Sequence, residues 1–189
     1  MSDLLPPHPP TDAPSAWVAR FAPLIPSGEV LDLACGGGRH ARLLAALGRA
    51  VLAIDRDTAA LAMAAGQGIT TRQVDLEAEG AVWPFEQNRF AGIVVTNYLH
   101  RPLFPHLVRS LAAGGVLIYE TFAQGNEQFG KPSNPAFLLR HGELLGLASM
   151  VDGLHVVAYE DGFVGVPRPA MVQRICLLKA GAPAEARLA

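Results

Sequence analysis

Three aspartates and a run of glycines are the residues of this 189-residue chain whose types and spacing could do chemistry. The segment Val30-Leu31-Asp32-Leu33-Ala34-Cys35-Gly36-Gly37-Gly38-Arg39-His40-Ala41 passes from an apolar run through three glycines directly into a helical stretch. Glycines permit a tight turn and a close backbone approach of a ligand, and a helix start presents unpaired amides. One glycine would suffice for turning and three weaken the fold, so the segment points to a ligand. Asp32 stands before the glycines, where a carboxylate repels a pyrophosphate but pairs with an ammonium group. Asp55 ends the next apolar run, nineteen residues after Gly36, where an acid accepts hydrogen bonds from ribose hydroxyls. Asp75 lies at the end of the third expected strand, twenty residues further on, placed for an adenine amino group.

The pattern Gly36-x-Gly38-x-x-Ala41 also satisfies the dinucleotide fingerprint, which keeps an NAD(P)-dependent oxidoreductase as the rival reading. Asp32 speaks against it. Phosphate binding of the Walker type is excluded, because Gly130-Lys131 is followed by Pro132. A second tier of candidates follows the fourth and fifth apolar runs. His100 titrates near neutrality when unperturbed and can take a proton from a nucleophile. Tyr98 offers an aromatic wall to a cation. Glu120 ends an apolar strand, as a proton acceptor or a loop cap.

The elements that must position these residues read as an alternation. Ser15 caps a short helix carrying Trp17, Val18 and Phe21 on one face. Strands are expected at Val30 to Ala34, Val51 to Ile54, Thr70 to Val74, Phe90 to Thr96 and Gly115 to Tyr119, with helices at Arg39 to Leu47, from Asp57 or Thr58, and at Leu103 to Leu111. Continuous apolar strands, each followed by a helix, indicate a parallel sheet covered on both faces. After Glu120 the rhythm changes. A polar stretch from Thr121 to Pro135 reads as a lid over the strand ends, a helix is expected from about Pro135 to Leu147, and two strands, Leu154 to Tyr159 and Met171 to Leu178, end the fold.

Composition bounds the rest. The chain is 50% hydrophobic and 17% charged, which excludes a disordered protein, and its net charge of −2 makes nucleic acid an unlikely partner. Cys35 and Cys176 stand far apart with no metal-ligand spacing, so no metal is expected. No stretch suits a signal peptide or a membrane span, and a cytoplasmic protein is expected, with no membrane partner. Residues 1–14 read as a proline-rich arm, 15–180 as one domain and 181–189 as a loose tail.

The whole resembles the class I S-adenosylmethionine-dependent methyltransferases, whose first motif is acid-x-Gly-x-Gly-x-Gly. Asp32, Gly36 and Gly38 match it, and Ala34 replaces the first glycine. Trp83-Pro84-Phe85, Phe90 and Ala113-Gly114-Gly115 are also similar to the family. Ala91 departs from it, since an acid usually follows the Phe. The resemblance implies an α/β, Rossmann-like sheet of seven strands, mostly parallel, with helices on both faces and an antiparallel last strand. It implies S-adenosyl-L-methionine as cofactor, with Asp55 at the ribose, Asp75 and Leu76 at the adenine, Asn97 beside the methionine portion, and Arg56 also among the cofactor-binding residues. His141-Gly-Glu-Leu-Leu145 and Tyr159-Glu160-Asp161 are similar to the small bacterial methyltransferases of the tellurite-resistance type, which implies a small-molecule acceptor. The alternative acceptors are RNA or protein, and the expected assembly is a monomer or homodimer.

Overall fold

The computed structural model describes residues 12–181, so most of the expected arm and tail lies outside the described residues. Short helix α1 (Ala16–Phe21) begins at Ser15, whose hydroxyl accepts from the Trp17 N–H. From there follow β1 (Glu29–Leu33), α2 (Arg39–Ala46), β2 (Ala50–Asp55), α3 (Thr58–Ala64), β3 (Ile69–Gln73), then, with no helix between, β4 (Phe90–Thr96), and α4 (Phe104–Ser110). Three long strands remain, β5 (Leu111–Phe122), β6 (Leu154–Val164) and β7 (Ala170–Lys179).

The sheet order is β3-β2-β1-β4-β5-β7-β6. β1 to β5 pair in parallel, and β7 runs antiparallel between β5 and β6. The order reverses between β1 and β4, so a crevice opens at the carboxyl ends of the central strands, where ligands of open α/β sheets bind. β4 is buried along its whole length, as a central strand covered on both faces must be.

Each face carries its own core. Leu31, Leu33, Ile54, Val95 and Tyr119 pack under α4 and the chain around Leu144 and Leu147. Val30, Ala53, Val94 and Ile118 pack on the other face under α1, α2 and α3. Helices therefore cover both faces, as the pattern indicates.

Two expectations change. β5 starts at Leu111 rather than Gly115, because a register shift between Phe90 and Gly92 lets the chain pair before the glycines. The helix expected from Pro135 to Leu147 is absent. Two 3-10 turns, Pro135–Phe137 and Glu143–Ser149, stand there. Pro135, Gly142 and Gly146 interrupt an α-helical ladder, and Gly142 has φ 73°. Among the described residues no helix is long and apolar enough to cross a membrane.

Candidate functional site

The turn after β1 is drawn tight by backbone conformation. Ala34, Gly36 and Gly38 have φ of 53°, 52° and 79°. The Cys35 N–H donates to the Ile54 carbonyl and the Gly38 N–H to the Cys35 carbonyl, both at 3.0 Å. A Cβ on Gly38 would lie 2.6 Å from the Cα and Cβ of Ala64 in α3, so only glycine fits there. A Cβ on Gly36 would meet nothing within 4 Å. That glycine borders open space.

β1 carries Asp32 into the interior, where it is 1% exposed. Burial pushes its carboxyl up to about 7, against the Ala41 backbone N–H and the Arg39 charge, while Asp55 adds to the rise. Its Oδ2 has no hydrogen-bond partner among the described residues. A buried, unpaired carboxylate oxygen costs free energy and asks for a donor or a cation.

Asp55, at the end of β2, accepts the Gly36 N–H on Oδ2 at 2.8 Å and the Asp57 N–H on Oδ1 at 3.0 Å. Its carboxylate is thus fixed between the glycine turn and the start of α3, which Asp57 caps through the Ala59 and Ala60 amides. Each oxygen keeps a lone pair for a further donor. Asp75 is exposed and accepts the Glu77 N–H at 2.9 Å.

These strand ends enclose a cavity of about 200 Å³ lined by Leu33, Ala34, Ile54, Asp55, Arg56, Asp75, Leu76 and Tyr98, together with Val74 and Glu77. Sequence reasoning singled out Ala34, Asp55, Arg56, Asp75, Leu76 and Tyr98, and the fold brings them together. It missed Glu77, whose signal was its place two residues beyond Asp75. Burial, followed by the nearby Glu77 charge, pushes the Tyr98 phenol upward, so Tyr98 is a neutral wall of the cavity. Asn97 ends β4 with φ 54° and donates its N–H to the Glu120 carbonyl at 2.9 Å. It is not among the lining residues.

His100 and Glu120 are not among the lining residues. His100 is half-buried before a 3-10 turn, Arg101–Leu103. Arg101 grips Glu143 with two nitrogens at 2.6 and 3.0 Å and donates to the carbonyls of Ala136 and Leu138. Glu120 is buried, accepts from the Ser15 hydroxyl at 3.1 Å and is ion-paired with Arg174 at 2.7 Å. His40 is buried beside it. Its Nε2 accepts the Ser15 N–H, its Nδ1 bonds Thr96, and burial followed by the Arg39 charge lowers it to about 3. These contacts make His40 and Glu120 the anchor of the segment leading into α1. Among the described residues no cluster of ligating side chains could hold a metal ion.

The stretch 121–135 divides. Ala123 and Gln124 donate to the Met171 and Leu139 carbonyls, and buried Asn126 bonds the Pro132 carbonyl and the Met171 N–H. Residues 127–131 are exposed.

Residues 30–115 match the family model described as methyltransferase domain. A protein-L-isoaspartate O-methyltransferase of Chlorobaculum tepidum is 38% identical over 109 residues, which is 55% of this chain and 49% of that protein. The chain thus spans about half the length of the curated relative it matches. Among solved structures, TehB from Haemophilus influenzae superposes with a TM-score of 0.70 at 20% identity, over 89% of this chain and 63% of that one. An S-adenosylmethionine-dependent methyltransferase from Mesorhizobium loti gives 0.63 at 18% identity, over 85% and 97%. A putative methyltransferase of Haloferax volcanii, solved with the Trm112 methyltransferase activator, gives 0.64 at 16% identity, over 87% and 89%. Residues 30–115 are thus similar to a methyltransferase domain, and the strand order gives the chain the fold that these solved methyltransferases share.

Proposed function

We propose that this domain transfers the methyl group of S-adenosylmethionine to a small-molecule acceptor. The observation that carries the cofactor half of this reading is the unpaired, buried Oδ2 of Asp32 at the end of β1. It fits the ammonium of the methionine portion, Asp55 fits the two ribose hydroxyls, and the cavity between Asp75, Leu76 and Tyr98 fits the adenine. S-adenosylmethionine held there would supply an activated methyl on its sulfonium for transfer to the acceptor. The leaving thioether needs no protonation, so the chain's work is to orient the two molecules and exclude water. Asp32 and Asp55 hold the cofactor from two sides of the glycine turn. Tyr98 turns an uncharged aromatic ring to the same space. Arg101 fixes the chain that follows the fifth strand against the loop that carries His100.

Calorimetry tests this reading. S-adenosylhomocysteine gives saturable heat and NAD and NADP give none; heat from a nicotinamide cofactor alone would replace the assignment by the oxidoreductase one. A second reading, a protein acceptor, is favoured by the name of the Chlorobaculum tepidum relative. An isoaspartyl peptide supplied with S-adenosylmethionine tests it by release of S-adenosylhomocysteine. Size-exclusion chromatography reads whether the working form is a monomer or a homodimer.

A further inference from the structure

Beyond β5, on the same edge of the sheet, stands a group of side chains that the cofactor site does not use. β6 presents Tyr159, Asp161 and Phe163 at alternate positions, hence on one face. Asp161 Oδ2 accepts from the Tyr159 hydroxyl at 3.0 Å and the Gly142 N–H at 3.1 Å, and lies 2.6 Å from His141 Nδ1. The Asp161 side chain is 9% exposed and that of His141 is 92% exposed, so the carboxylate fixes the ring from beneath and leaves Nε2 outward. Two positions along, Phe163, 58% exposed, meets Phe129, 41% exposed, with ring centroids 5.2 Å apart. Buried Gln173 holds the floor, donating to the Arg140 carbonyl at 2.6 Å and accepting the Leu144 N–H at 3.1 Å.

Register places this group relative to the cofactor. Phe122 lies opposite Val172, and Val172 opposite Gly162, so the end of β6 stands at the edge where β1, β2 and β4 end. Three strand spacings separate β4 from β6. At roughly 4.8 Å each that is about 14 Å. A pair of aromatic rings left open to water beside an imidazole held by a buried acid is not what core packing produces. Such rings offer flat apolar contact at low conformational cost, and the imidazole offers one directed hydrogen bond.

We propose that Phe129, Phe163 and His141 form the far wall of the acceptor site. The acceptor is then an elongated small molecule with a flat apolar body and a hydrogen-bonding end, reaching across the three strand spacings, about 14 Å, from the end of β4 to the end of β6. This rests on the methyltransferase reading, and the test separates the two. The full chain, labelled with nitrogen-15 and saturated with S-adenosylhomocysteine, is titrated with 4-phenylbutyrate and, in parallel, with butyrate. Phenylbutyrate shifts the amide resonances of Phe129, Gly142 and Phe163, and butyrate at equal concentration leaves them in place. Phe163→Ala weakens phenylbutyrate binding at least tenfold and His141→Ala several-fold, with the affinity for S-adenosylhomocysteine unchanged in both. Both side chains are largely exposed, and Phe163→Tyr, which keeps the ring, restores most of the binding. Shifts confined to other residues, no shifts, or a Phe163→Ala variant that binds as the parent does would overturn the proposal. So would a sedimenting dimer that Phe163→Ala dissociates, since the rings would then cover one another between copies. Calorimetric heat from S-adenosylhomocysteine without phenylbutyrate shifts sinks this proposal alone. Absence of that heat sinks the methyltransferase reading.

Discussion

At the ends of β1 and β2 the groups proposed to face the cofactor are backbone amides, and carboxylates that backbone amides hold in place; beyond β5 those proposed to face the acceptor are side chains set by other side chains. Asp55 is fixed by the N–H groups of Gly36 and Asp57, and the turn itself is fixed by three left-handed residues. His141 is fixed by Asp161, the chain from Ala136 to Glu143 by Arg101, and the turn at Leu144 by Gln173. Backbone-built geometry tolerates little change, because every substitution that needs a different φ strains the whole turn. Geometry built from side chains changes one residue at a time without disturbing the ladder beneath. The first half suits a ligand common to many reactions, and the second suits whatever distinguishes one reaction from the next.

The strongest break in this contrast is at Gly38. Gly38→Ala puts a Cβ 2.6 Å from Ala64 at a φ of 79° and costs about 2–4 kcal/mol of stability, read as a lower urea midpoint. Gly36→Ala, with open space around its Cβ, costs about 1 kcal/mol of strain yet still weakens S-adenosylhomocysteine binding. Equal losses of stability in the two variants would contradict the backbone account.

Asp55→Ala follows in size. Removing an acceptor for two hydroxyls weakens cofactor binding by about 1.5–3 kcal/mol, ten- to a hundredfold by calorimetry. Unchanged affinity would move the ribose elsewhere.

Asp32 sharpens the contrast through pH. Its folded carboxyl sits at about 7 and its ordinary value is 3.8, so between these values the free folded protein keeps a proton that the unfolded chain releases. That contribution to stability is full below the lower value and is lost as pH rises through the window. A cationic ligand favours the ionised form, so binding takes the opposite sign. Affinity for S-adenosylhomocysteine falls about tenfold per pH unit below neutrality, and Asp32→Asn flattens the profile. A flat parent profile would remove the ammonium from Asp32.

The smallest effect belongs to the other half. Arg101→Ala speeds amide exchange across residues 136–143 several-fold and leaves cofactor affinity unchanged. Within the stretch that follows β5, exchange is slow at Ala123 to Asn126 and fast at 127–131, and slows there on adding S-adenosylhomocysteine with acceptor. Fast exchange along the whole stretch would make it a free loop, and uniformly slow exchange a fixed wall.

What was legible in the sequence follows the same division. Asp32, Asp55 and Asp75 could be placed because each stands at or near the end of an expected strand, and in a parallel sheet such ends share one edge. The glycine turn announced its own conformation through residue type. Beyond Glu120 the decisive facts are long-range partners, which no local period encodes. The apolar spacing of Leu138, Leu139, Leu144 and Leu147 resembles a helix face, yet these residues are buried from separate turns held by Arg101 and Gln173. Glu120 at a strand end had the right place for chemistry. Only Ser15 and Arg174, 105 residues before it and 54 after, show that it fastens the chain instead.

The insertion of β7 between β5 and β6 also governs how the molecule comes into being. During synthesis β5 and β6 emerge first and can meet no partner on their facing edges until residues 170–179 arrive. Until then β6 stands unpaired and β5 is paired with β4 on one edge alone, the condition most prone to wrong association, and Glu120 has no Arg174. The final strand therefore closes the sheet, neutralises the buried acid and brings Gln173 to the turn at Leu144 in one event. A nascent chain stopped short of residue 170 holds the glycine turn and the acids of β1 and β2, but neither the Gln173 floor beneath the 140–144 turn nor the partner strand that seats Asp161 and Phe163.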